Sequence, residues 1–150
     1  MKPLYHTFVS VGLASAMYYS THSWPSAVSC LLSGVLIDID HHLDYLIIRK
    51  EIPWRYKDLH DFCDKPSLGK VYLFFHTYEL LALFWFIIFY AHLDFVWVGL
   101  ALGLTAHMIC DQFTNPIKPL FYFISYRMIH AFEKEKLLTE KYFQRQESRV

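Results

Sequence analysis

The chain has 150 residues, which is the size of a single domain. Hydrophobic residues make up 55% and charged residues 19%, whereas about 25% of an average soluble domain is charged. The formal net charge is zero, so the composition gives no basis for bulk electrostatic attraction to nucleic acid.

Four apolar segments predict helices at residues 3–19, 25–41, 71–91 and 95–113. Ser23 and Pro25 suit the cap and first turn of the second helix, and Pro116 is a natural stop for the fourth. The third segment is apolar on every face between Leu80 and Tyr90, which favours a lipid environment in so short a chain. We therefore expect an all-α integral membrane bundle of about four transmembrane helices.

The distribution of basic residues predicts the orientation of this bundle. Lys and Arg occur at the start of the chain, between the second and third segments, and after the fourth segment. The short turns at residues 20–24 and 92–94 contain none. By the positive-inside rule, both termini would face the cytoplasm in a multi-pass protein of the inner membrane.

The C-terminal region differs from the apolar segments. Residues 119–132 are rich in Phe and Tyr and also carry Arg127 and His130, which predicts an amphipathic helix at the membrane interface. Residues 133–150 are highly charged and predict a cytoplasmic tail. The predicted organisation is thus a membrane domain of residues 1–132 followed by a tail of residues 133–150. The polar connection of residues 43–70 would cover a site or form a surface helix.

Ionisable residues inside apolar segments are costly and by default indicate function. All four segments place such residues near the predicted cytoplasmic side, and several pairs share a helix face through i,i+3 or i,i+4 spacing. These positions predict a metal site with the candidate ligands His6, Asp38, His41, His76, His107 and Asp111. Glu79 is the candidate general base, and Asp40 is a further catalytic candidate, as a ligand or as a residue that orients one.

Imidazole and carboxylate groups together suit Zn, and also Mn or Fe, so we expect a divalent cofactor of one to three ions. Two alternatives use the same residues. The cluster would act as a polar lock between helices in a structural protein, or as part of a metal or proton carrier. The carrier is disfavoured because the distal halves of the segments are nearly free of ionisable groups. We expect His42, Asp44 and His60 to face solvent.

Several of these motifs resemble one family. Residues 37–41, Ile-Asp-Ile-Asp-His, look like the Pro-Asp-Ile-Asp-His signature of the predicted bacterial membrane-bound metal-dependent hydrolases. The stretch from His107 through Asp111 to Thr114 is similar to the family's His-x-x-x-Asp-x-x-Thr motif, and His6 and His76-Thr77 resemble two further motifs. The resemblance covers roughly residues 1–116. It implies hydrolysis of a phosphoester, plausibly of a lipid at the inner leaflet, since the family is distantly related to the all-α zinc-dependent phospholipase C.

The chain departs from the family pattern at two places. Ile37 stands where the family has Pro, and residues 71–73 are Val-Tyr-Leu where the family has His-Arg-Gly. One metal or substrate contact of the family is then either absent from this chain or supplied by His60 or Glu79.

Overall fold

The structure is a computed structural model that describes residues 3–64 and 69–147. These residues form helices, turns and irregular segments, and within them β-pairing is limited to two isolated bridges. The helices of the described part are α1 Pro3–Thr21, α2 Trp24–Leu36, α3 Ile39–Arg49, α4 Tyr56–Asp64, α5 Tyr78–Tyr90, α6 Phe95–Thr114, α7 Ile124–Ile129, α8 Lys134–Leu137 and α9 Glu140–Glu147. The all-α prediction is therefore confirmed.

The prediction of about four transmembrane helices is wrong. In the described residues, only α6 is both long and apolar enough to cross a membrane, and it meets this test by length and composition alone. The third apolar segment yields a helix of only 13 residues, because its first seven residues are irregular. The second segment yields the 13 residues of α2, which ends at Leu36.

The predicted interfacial amphipathic helix at residues 119–132 is also wrong. Only the six residues of α7 are helical there, and turns surround them. Arg127, which an interfacial helix would direct to the headgroups, is instead completely buried.

The chain divides into two compact units that are interleaved in sequence. Unit 1 comprises Met1–Ile37 and Tyr78–Asn115, and unit 2 comprises Asp38–Thr77 and Pro116–Val150. Residues 133–147 thus belong to the same unit as residues 116–132, and Lys134, Leu137 and Tyr142 are buried within the fold.

Unit 1 contains α1, α2, α5 and α6, and its helix starts follow from local capping. The Ser23 hydroxyl accepts a hydrogen bond from the Ser26 N–H at 3.4 Å, and Pro25 occupies the first turn of α2. Asp94 caps α6 by accepting from the Val96 N–H at 2.9 Å. Both of these starts agree with the sequence prediction.

Small residues allow α2 and α6 to pack closely. A Cβ atom added at Gly99 or Gly103 would overlap the backbone carbonyl of Ser26 or Cys30, respectively. The Ser29 hydroxyl also donates to the Val96 carbonyl of the facing helix at 2.7 Å. The α2–α6 interface therefore depends on side chains small enough for the two backbones to touch.

Unit 2 contains α3, α4, α7, α8 and α9 together with an irregular stretch at residues 71–77, here called the 71–77 segment. α3 ends at Lys50, whose left-handed backbone lets its N–H donate to the Leu46 carbonyl at 2.9 Å. The buried apolar side chains of this unit include Leu59, Phe62, Leu73, Phe121, Tyr122 and Leu137.

Candidate metal centre

The first group of predicted ligands lies in unit 1 and comprises His6, His107 and Asp111. α1 supplies His6, and α6 supplies the other two from successive turns. All three side chains are buried, and each offers one ligand atom within 4.8 Å of the other two. His6 Nε2 lies 3.0 Å from Asp111 Oδ1, and His107 Nε2 lies 3.5 Å from Asp111 Oδ2. These buried groups could hold a metal ion.

The tautomer of His107 follows from its contact with the main chain. Its Nδ1 lies 2.8 Å from the Gly34 carbonyl oxygen, which can only accept a hydrogen bond. Nδ1 therefore carries a proton, and a neutral His107 presents the lone pair of Nε2 to Asp111. Two acceptors facing each other at 3.5 Å need a cation between them or a proton on the imidazole. A carbonyl bonded to the distal nitrogen is the usual arrangement of a metal-binding histidine.

The Asp111 carboxylate of this group is deeply buried and lies against two imidazoles. Asp111 is 4% exposed, and a buried carboxylate is costly unless positive charge compensates it. The described residues of unit 1 contain no Lys or Arg. His6 stacks on His107 with ring centroids 3.9 Å apart, and its buried Nδ1 has no hydrogen-bond partner in the described structure. Burial opposes ionisation of Asp111, but hydrogen bonds and attraction from His107 and His6 outweigh it and hold the pKa of this carboxyl well below its usual range.

The second group lies in unit 2 and comprises Asp38, His41 and His76. Asp38 Oδ1 lies 3.8 Å from His41 Nε2 and 3.9 Å from His76 Nε2. These distances are too long for hydrogen bonds. They are close to the separation of ligand atoms around one tetrahedral Zn ion, which is roughly 3–3.5 Å for bonds of about 2.0–2.2 Å. The Asp38 and His41 side chains are partly exposed and His76 is buried, so the group is open on one side.

Both imidazoles of this group have a partner on the nitrogen that faces away from Asp38. His76 Nδ1 lies 3.1 Å from Asp40 Oδ2, and His41 Nδ1 lies 3.7 Å from the Cys63 sulfur. Because a carboxylate only accepts, His76 carries its proton on Nδ1 and presents the Nε2 lone pair to Asp38. This is the carboxylate–histidine arrangement that orients metal ligands in other proteins.

Asp40 is fully buried and contacts His76 by both main chain and side chain. Its Oδ2 accepts from the N–H groups of Phe75 at 2.7 Å and His76 at 3.0 Å, in addition to His76 Nδ1. Burial alone would raise the pKa of Asp40, but these hydrogen bonds and the attraction of His76 outweigh it and lower the pKa below its usual value. Asp40 thus holds the His76 imidazole by its Nδ1 atom.

The remaining predicted residues divide as follows. Glu79 is half-buried in the first turn of α5. The hydroxyl of the adjacent Tyr78 donates to Gln112 at 3.3 Å, which brings the start of α5 to the end of α6 beside Asp111. His42 and His60 are exposed, as predicted. His6, His107 and Asp111 belong to unit 1, and Asp38, His41 and His76 belong to unit 2.

Asp44 and Arg127 are the polar residues whose roles the sequence did not reveal. The prediction that Asp44 faces solvent is wrong, since it is buried and accepts from the N–H groups of Tyr72 at 2.8 Å and Leu73 at 3.0 Å. Burial raises the pKa of Asp44 despite these two hydrogen bonds. Its position one helical turn after Asp40 was the available signal, because i and i+4 residues share a helix face.

No family model, curated protein or solved structure matches this chain. The resemblance to the predicted membrane-bound hydrolases therefore depends on the short motifs alone.

Proposed function

We propose that this chain is a divalent-metal-binding hydrolase of phosphoesters. The observation that carries the metal assignment is the buried group of His6, His107 and Asp111. There the Gly34 carbonyl fixes the His107 tautomer, and the Nε2 atoms of His6 and His107 both lie against the buried Asp111 carboxylate. The mixture of imidazole and carboxylate favours Zn, with Mn or Fe as alternatives.

The second group supports the same assignment independently. Asp38 Oδ1 lies 3.8 Å from His41 Nε2 and 3.9 Å from His76 Nε2, and Asp40 orients the His76 imidazole through its Nδ1 atom. One to three ions are compatible with two ligand groups. When bound, such an ion supplies Lewis acidity and lowers the pKa of water, which is the chemistry that hydrolysis of a phosphoester requires.

Glu79 is the residue that we propose as general base. It is the only carboxylate of the described part of unit 1 that is neither the α6 cap Asp94 nor the candidate ligand Asp111. Its neighbour Tyr78 contacts Gln112, the residue after Asp111, so Glu79 lies on the part of α5 nearest to the first ligand group. A half-buried carboxylate there can take a proton from a water molecule that attacks the phosphorus.

Hydrolysis is tested with the full chain, stripped by chelator and reloaded separately with Zn, Mn and Fe, using bis(p-nitrophenyl) phosphate as the probe. We expect hydrolysis by at least one loaded form. Glu79→Gln should lower the rate by roughly 100-fold or more at unchanged metal content, since general-base catalysis contributes about 10²–10⁴-fold. The exposed Glu51→Gln serves as the matched control and should retain the rate.

The outcomes separate the parts of this proposal. If Glu79→Gln hydrolysed the phosphodiester at the same rate as the natural chain, Glu79 would be excluded as the general base. Metal binding without hydrolysis of the phosphodiester or of p-nitrophenyl phosphate would leave a non-enzymatic metal-binding protein. The stacked His6 and His107 rings favour one further alternative, in which a single proton shared with Asp111 makes the group a polar lock between α1 and α6. The lock predicts that no metal binds.

We also propose that unit 1 contacts lipid. Large apolar side chains are exposed on its helices, among them Phe8, Trp24, Phe86 and Phe89, while Gly, Ala and Ser fill the α2–α6 interface. Small residues between helices and large apolar residues outside are typical of proteins packed in lipid. Since only α6 is both long and apolar enough to cross a bilayer among the described helices, the proposal is lipid contact and not a bundle of four spans.

Lipid contact is tested by flotation of the full chain with phosphatidylcholine vesicles at high salt. We expect the chain to float, and Phe8→Ser combined with Phe86→Ser to reduce the floating fraction. Trp54→Ser is the control, because Trp54 is an even more exposed aromatic residue of unit 2. Recovery of the natural chain at the bottom of the gradient would contradict the proposal.

A further inference from the structure

The 71–77 segment has neither helix nor strand to satisfy its backbone, and buried side chains of unit 2 do so instead. The Asp44 carboxylate accepts hydrogen bonds from the N–H groups of Tyr72 and Leu73. The Asp40 carboxylate accepts hydrogen bonds from the N–H groups of Phe75 and His76. Both carboxylates come from α3, where they lie one turn apart. The Val71 N–H donates to the Phe132 carbonyl at 2.9 Å, whereas the four N–H groups bound by Asp40 and Asp44 are held by one face of α3.

The carbonyl groups of the same segment are held by a single residue of α7. The Arg127 guanidinium donates to the carbonyl oxygens of Tyr72, of Leu73 at 2.8 Å and of His76 at 3.1 Å. Arg127 is completely buried, and its fixed planar fork is the side chain best suited to several acceptors at once. The positive charge of Arg127 also attracts the buried carboxylate of Asp44, which reduces the cost of burying both groups.

This arrangement fixes His76 from two directions. Asp40 holds the Nδ1 atom of its imidazole, and Arg127 holds its main-chain carbonyl. Leu73 has a φ of 46°, a left-handed conformation that a leucine adopts only when its surroundings impose it. The segment therefore depends on its side-chain contacts for its shape, and the direction of the His76 Nε2 atom depends on the segment.

We propose that Arg127 is a positioning residue for His76. Arg127 sets the tautomer and the direction of the His76 imidazole by holding the backbone of the 71–77 segment. The inference rests on the proposed function in one respect, since it makes Arg127 a determinant of metal affinity at the group of Asp38, His41 and His76. Its effect on the imidazole exists without any metal.

The test uses the full chain as Arg127→Lys and Arg127→Met, with Lys134→Met as the matched control. Lys134 is the other buried cation in the described part of unit 2. Its Nζ atom lies 5.4 Å from the centroid of the Phe62 ring and donates to the Phe62 carbonyl at 3.5 Å. A general loosening of unit 2 should therefore appear in the control as well. Arg127→Lys keeps the positive charge, but a lysine cannot donate to all three carbonyl groups. If Arg127→Met does not fold, the comparison is made with Arg127→Lys alone.

Two readouts are taken. The first is the ¹⁵N spectrum of histidine-labelled, metal-free protein, with His76 assigned through His76→Gln. We expect a single Nδ1–H tautomer of His76 in the natural chain and in Lys134→Met, and mixed tautomers in both Arg127 variants. The second is Co²⁺ affinity, which should fall roughly tenfold or more in the Arg127 variants, as is usual for residues that orient a metal ligand.

An unchanged His76 tautomer in the Arg127 variants, or an equal change in Lys134→Met, would overturn the inference. If the natural chain binds no Co²⁺, the metal proposal fails, and the tautomer comparison alone decides the role of Arg127.

Discussion

Asp40 and Asp44 are two buried carboxylates that bind the same backbone segment, yet their pKa values move in opposite directions. Each carboxylate accepts hydrogen bonds from two backbone N–H groups, and burial opposes the ionisation of both carboxylates. The difference is the imidazole of His76, which adds a hydrogen bond and an attraction to Asp40 only. Asp44 instead faces the negative charge of Asp40, which is only partly offset by Arg127.

This difference predicts how Asp44 affects stability as pH changes. Because the pKa of Asp44 is raised above its ordinary value of 3.8, protonation favours the folded state. Its stabilising contribution is complete below that value and is lost as pH rises through the raised pKa. Relative to Asp44→Asn, the natural chain should therefore gain stability as pH falls from 7 towards 4, measured as the free energy of unfolding in urea.

The matched control for this experiment is Asp58→Asn, since Asp58 is exposed in the first turn of α4. The change with pH of the Asp44→Asn difference should exceed that of this control over the same range. A pH-independent difference for Asp44→Asn would show that burial does not raise the pKa of Asp44.

At the scale of helices, the contact of α2 with α6 determines whether the first ligand group forms. Gly34 on α2 supplies the carbonyl that binds His107, and Gly103 lies one turn before His107 on α6. A Cβ atom at position 103 would overlap the Cys30 carbonyl and the Ser33 hydroxyl. A backbone carbonyl cannot move without its helix, so the two helices would have to separate.

We expect Gly103→Ala to destabilise the chain by roughly 1–3 kcal/mol, the usual cost of overpacking. Gly12→Ala is the matched control, because a Cβ atom there meets nothing within 4 Å. That variant should be stabilised by about 0.5–1 kcal/mol through the better helix propensity of alanine. Thermal unfolding of both variants measures the difference, and equal unfolding temperatures would contradict the close packing of α2 and α6.

At the scale of the whole molecule, local signals predicted some elements and missed others. The starts of α2 and α6 could be predicted because their caps lie within three residues of the first turn. The 71–77 segment could not, because the carboxylates that bind its N–H groups lie 28 to 36 positions earlier in the chain. Its apolar residues have the composition of a helix, and only the tertiary contacts make it irregular.

The ligand groups show the same limit. The helix spacing placed His107 with Asp111 and the Asp38 motif beside His41, since these pairs are local. The sequence could not show that the candidate ligands divide between two units interleaved along the chain. Arg127 was missed because a stretch rich in aromatic residues with one arginine has the pattern of an interfacial helix, whereas its contacts are with backbone carbonyls over 50 positions away.

The central claim is that buried His and Asp side chains hold a metal ion. Elemental mass spectrometry of the purified full chain tests it most directly, for the natural protein and for His107→Ala combined with Asp111→Ala. His22→Asn combined with His92→Asn is the matched control, because both residues are exposed and asparagine tolerates their left-handed backbone. We predict at least one equivalent of Zn, Mn or Fe in the natural chain and in the control, with less metal in the His107 and Asp111 variant. Absence of metal from the natural chain, even after reconstitution, would contradict the claim and leave a polar lock between helices.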